Sequence, residues 1–150
     1  MNLQQAKNLY VTIIAMREMQ HPEFFSMRDW IHQCMCADEE QIANIVENNI
    51  HGIPCCILGI WGSRPDLQSI VKITDNGHPN SIFKLHKFTD GNGIELSYMS
   101  SDILNHFGID SVESENLFTS DNVGVNSRDT AIESILTFLL QKGYTEDQLI

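Results

Sequence analysis

Apolar residues recur at helical spacing at both ends of this chain and at strand spacing in its middle. Between residues 2 and 19, Leu3, Ala6, Tyr10, Ile13, Ile14 and Arg17 fall three or four apart, with Gln4, Lys7, Asn8 and Glu18 elsewhere on the wheel. This predicts an amphipathic helix, stopped by His21-Pro22 because a residue before proline avoids the helical region. Ser26 reads as the cap of a short helix carrying Met27, Trp30 and Ile31. Asp38 with Gln41 forms a capping-box pattern ahead of Ile42, Ile45 and Val46. Pro54 suits a first helical position, and the run from Cys55 to Trp61 is apolar all round, which predicts a central segment.

The period changes from about residue 67. Segments 69–74, 81–88 and 94–99 are rich in β-branched and aromatic residues, and Asp75-Asn76-Gly77 and Asp90-Gly91-Asn92-Gly93 separate them as turn sequences. A three-stranded antiparallel meander is the simplest reading, although Asp66 offers an alternative helix start for the first segment. Ile82, Lys84, His86 and Phe88 would share one face and Phe83, Leu85 and Lys87 the other, so both faces are mixed.

Helical spacing then returns. Ser100 or Ser101 caps residues 102–107, with Gly108 as the left-handed stop. Asp110 and Glu113 form a second capping box leading to Leu117-Phe118. After a polar loop over 119–127, Ser127 caps the most regular helix, 128–142, whose Ala131, Ile132, Ile135, Leu136, Leu139 and Leu140 form one broad apolar face ending at Gly143. Residues 144–150 read as one more turn. The expected architecture is therefore a single α+β domain over residues 1–150, with N- and C-terminal helices packed on a small three-stranded meander.

Charge narrows the function classes. The 150 residues carry a net charge of −11, and residues 101–150 hold nine carboxylates against only Arg128 and Lys142. Residues 29–63 contain neither Lys nor Arg. Without a basic cluster, direct binding to a phosphate backbone lacks its main driving force, and so does a polybasic membrane anchor. An acidic surface attracts a basic protein partner instead. The N-terminus lacks a secretory pattern and no apolar run is long enough to span a bilayer, so a reducing cytoplasm is expected, with the cysteines as thiols or ligands.

Met27-x-x-Trp30, His51-Gly52-x-x-x-Cys56-x-x-Gly59 and Phe107-Gly108-Ile109 with Leu117-Phe118 together resemble a family of small, uncharacterised bacterial and phage proteins. In that family M-x-x-W precedes C-G-x-x-x-C-x-x-G-W and a later L-G-L…L-F. The resemblance touches about two thirds of the chain. His51 stands where the family has its first cysteine, and Trp61 lies one position late. The resemblance implies no activity.

Three readings of function follow. The leading one is a non-enzymatic, acidic interaction or regulatory protein, of the kind a phage inhibitor or accessory factor represents, with a protein partner or a second copy of itself and no cofactor. The second is a zinc-stabilised module using Cys34, Cys36, His51 and Cys56; its C-x-C and C-C spacings differ from the paired C-x₂₋₄-C elements of common structural sites. The third is a cysteine-dependent enzyme centred on Cys55 or Cys56, where the first turn of a helix favours a thiolate and His51 is close enough in sequence to act as base. The bland alternative for all of these cysteines is core filling. Asp90-Gly91-Asn92-Gly93-x-Glu95 resembles a calcium loop but fails the EF-hand spacing at Ile94, and a tight turn uses the same residues. His21, His32, His78, His86 and His106 show no ligand or triad spacing.

Overall fold

A computed structural model describes residues 1–19, 22–25, 57, 60, 61, 72–75, 86–89, 100–118 and 127–150. Its organising element is α1, Leu3–Arg17, which opens with a complete capping box. The Asn2 side chain accepts from the Gln5 amide at 2.9 Å, and the Gln5 carboxamide accepts from the Asn2 amide at 2.8 Å. A single 3-10 turn, Pro22–Phe24, follows, as the proline after His21 dictates.

The described residues of the C-terminal third form four helices: α2 (Ser101–Phe107), α3 (Ser111–Phe118), α4 (Arg128–Gln141) and α5 (Glu146–Leu149). Their boundaries follow the local chemistry. Gly108 takes φ +63° and Gly143 φ +88°, so each ends a helix in the left-handed region. Asp110 and Glu113 exchange reciprocal backbone bonds at 2.8 and 3.0 Å to open α3. The Ser127 hydroxyl accepts from the Thr130 amide to open α4.

Helix α1 packs against α2, α4 and α5, and α3 packs against α4. Arg17 and Arg128, at opposite ends of their helices, line one groove, so α1 and α4 run antiparallel. The Tyr144 hydroxyl donates to the Met1 carbonyl at the other end of the pair. Leu9, Ile13 and Met16 of α1 are fully buried, as are Ile135 of α4 and Ile103 and Phe107 of α2. Ile57, Ile60 and Trp61, the described members of the apolar run, are helical and buried, as their position in it predicts. The Trp61 ring lies 4.9 Å from Phe107 and 5.1 Å from Phe118, centroid to centroid, the latter edge-on. Its indole N–H donates to the Thr12 hydroxyl at 2.9 Å, so these two buried polar groups satisfy each other.

The expected α+β architecture is corrected. Helices dominate the described residues, and their buried core is made of helical and turn positions. The β-structure among them is one short antiparallel ladder, β1 (Lys72–Asp75) with β2 (His86–Thr89), paired Lys72 to Thr89 and Asp75 to His86. A three-stranded sheet with helices laid on it is not present there. Strand propensity and turn sequences are local signals; a sheet becomes a layer only when one face is apolar throughout, and both faces of this segment are mixed. The third expected strand, 94–99, lies outside the described residues, as do the helices expected after Ser26 and Asp38. Two positions assigned to apolar faces are open to solvent: Leu3 is 49% exposed and Leu140 63%. Each lies in a terminal turn of its helix, beyond the neighbours that cover the middle.

Candidate functional site

Cys34, Cys36, His51, Cys55 and Cys56 lie outside the described residues, and so does the segment from Asp90 to Glu95. Among the described residues, no group of three or more His, Cys, Asp or Glu side chains converges on a metal site. His106 sits in α2, half-buried and edge-on to Phe107, and burial pushes its imidazole below the usual histidine range. Among the described residues, no helix is long and apolar enough to cross a membrane.

Polar side chains gather at two junctions on α1. At the first, Gln5 Nε2 donates to the Asn105 carbonyl and Asn8 Nδ2 to the His106 carbonyl, both at 3.0 Å. These amides satisfy carbonyls that the end of α2 leaves without helical partners. At the second, one carboxylate oxygen of Glu146, in the first turn of α5, accepts from Arg17 at 2.6 Å and from the Tyr10 hydroxyl at 2.7 Å. Those bonds hold the Glu146 carboxyl below the usual carboxylate range. Burial, followed by the bond to Glu146, holds the Tyr10 phenol above its own.

Beside this cluster lies a groove of about 440 Å³, lined among the described residues by Arg17, Arg128, Asp129, Ile132, Glu133 and Leu136. Ile132 and Leu136 supply apolar surface from α4. Arg128 is turned onto its neighbour, with Nε and Nη2 both 2.9 Å from Asp129 Oδ1. Glu133 is exposed and makes no hydrogen bond or ion pair among the described residues. The groove therefore holds two internally paired arginines and one carboxylate with no partner among those residues.

The same accounting applies to the acidic third of the chain. Its two cations are both engaged by acids of that third, Arg128 by Asp129 and Lys142 by Glu113. Asp110 serves the α3 cap and Glu146 the α5 junction. Asp102, Glu133 and Asp147 remain exposed, with no hydrogen bond or ion pair among the described residues.

Sequence reasoning did not find the groove or the Tyr10–Arg17–Glu146 cluster. Tyr10 and Arg17 are seven residues apart on one helix face, which is a visible signal, but Glu146 lies 129 residues from Arg17 and has none. No protein-family model, curated protein or solved structure matches this chain.

Proposed function

We propose that this chain is a non-enzymatic, acidic interaction or regulatory protein, binding a basic partner protein in a reducing, cytoplasmic setting as an inhibitor or accessory factor of the phage type would. The observation that carries this reading is the fate of the charges in residues 101–150. Both cations there are neutralised by neighbouring acids, while Asp102, Glu133 and Asp147 are exposed, without partners among the described residues. Such a surface raises encounter rates with a positively charged protein and disfavours the phosphate backbone of nucleic acid.

The test is affinity capture with the full chain at about 50 mM and about 500 mM salt, a range that shortens electrostatic reach severalfold. The triple variant Asp102→Asn/Glu133→Gln/Asp147→Asn is run in parallel. A basic partner captured at low salt, and lost both at high salt and by the variant, supports the reading. Capture indifferent to salt and to the variant overturns it.

A further inference from the structure

Resting on that reading, we propose that the groove between the end of α1 and the first turns of α4 is where the partner docks, and that it accepts a short segment combining an apolar side chain with a lysine or arginine. Leu136, partly exposed, offers the apolar surface, with Ile132 buried at the groove's floor, and Glu133 sits three residues from Leu136 on the same helix. A side chain seated on Leu136 places a neighbouring cation within reach of Glu133, because residues three and four apart on a helix are neighbours.

The two arginines do not reverse the sign. Arg17 is bound by Glu146 and Tyr10, and Arg128 makes two bonds to Asp129. An acidic segment would have to displace Glu146 or Asp129 to pair with either arginine. A basic segment displaces nothing and meets Glu133, whose charge has no partner among the described residues. Counting Glu146 with the lining residues, the site carries three carboxylates against two guanidinium groups. Glu146 thus has a second role: by neutralising Arg17 it keeps the rim acceptable to a cation, so docking of α5 completes the site.

The probe is a fluorescein-labelled peptide of about twelve residues with two leucines flanked by lysines at helical spacing, compared with versions in which glutamate replaces lysine or serine replaces leucine. Fluorescence anisotropy gives affinity and amide chemical shifts give location. The lysine-leucine peptide is expected to bind best and to shift residues 128–136. Glu133→Lys weakens it roughly fivefold, the scale of an exposed charge pair. Asp102→Lys, the same charge change outside the groove, has less than about a twofold effect at moderate salt. Glu133 and Asp102 are both exposed, so both variants fold. Equal losses for the two variants would overturn the groove while leaving the acidic-surface reading intact. Preference for the glutamate peptide would assign the site to the arginines and overturn the proposal. Concentration-dependent shifts of 128–136 without peptide would assign the groove to a second copy of the chain and overturn it too. Failure of every peptide to bind would reject the groove, and the capture experiment then decides the broader reading separately.

Discussion

Helix α1 holds its neighbours in two different ways. At the α2 junction, neutral amides of Gln5 and Asn8 meet backbone carbonyls beside a buried trio of Trp61, Phe107 and Phe118. At the α5 junction, an arginine, a tyrosine and a glutamate meet near the surface, and Leu149 is the one buried side chain of a four-residue helix. The first junction depends on desolvated apolar area and is indifferent to salt. The second depends on charges in contact with water, where the net gain is small and screened. Among the described residues the α2 junction contains no ionic pair, so the acidity of the chain bears little on it.

The largest expected effect is at the first junction. Phe107→Ala removes a fully buried ring that contacts both Trp61 and Phe118, and should cost about 3–5 kcal/mol in denaturant unfolding. A loss below about 1 kcal/mol would mean that the trio does not act as the core. Next is Gly108→Ala. Gly108 stands at φ +63°, and an added methyl would run into the Gln5 carboxamide, which holds both the α1 capping box and the Asn105 carbonyl. Left-handed strain plus weakened bonds should cost roughly 2 kcal/mol.

A smaller effect separates the junctions by pH. The folded state lowers the affinity of His106 for a proton, so the unfolded chain takes one up first as pH falls below the ordinary histidine value near 6.5. The contribution of His106 is therefore complete above that value and declines as pH drops toward the depressed folded one. His106→Gln should flatten the slope of stability between pH of about 7 and about 5. An unchanged slope would remove His106 as its source. The smallest global effect belongs to Glu146→Gln, which keeps an acceptor for Tyr10 but discards the charge facing Arg17. Hydrogen exchange should rise in α5 alone, and the difference from wild type should shrink in high salt. In wild type the same fastening should persist through neutral pH. It should fail only below the ordinary carboxylate range, because the lowered folded pKa of Glu146 makes its contribution present above that range and lost as pH falls through it.

Legibility in the sequence tracks how local the deciding interaction is. Asp110 with Glu113, Ser127, Gly108 and Gly143 act within a turn, and their helix boundaries fall where the residues alone place them, whereas the Asn2–Gln5 box, equally local, was not read from the sequence. The central position of Ile57, Ile60 and Trp61 was legible because that run is apolar on every side. The sheet layer was misread: strand spacing and turn dipeptides report local preference, not whether a face is apolar enough to cover helices. The groove and the α5 junction were illegible because each joins residues from opposite ends of the chain, and nothing around Arg17 announces Glu146. Cys34, Cys36, His51 and Cys56, the expected zinc ligands, lie outside the described residues, so the candidate site rests on different residues altogether.

The central claim is that the exposed carboxylates serve binding rather than folding, and the most direct measurement is to unfold and bind the same variant. Asp102→Asn/Glu133→Gln/Asp147→Asn lowers the net charge in magnitude from −11 to about −8, relieving self-repulsion while weakening two helix-terminal interactions. The thermal midpoint should therefore move by less than about 5 °C, while binding of the captured basic partner at low salt falls by roughly tenfold or more. A much lower midpoint with binding unchanged per folded molecule would contradict the account, because those charges would then belong to the fold and not to the partner.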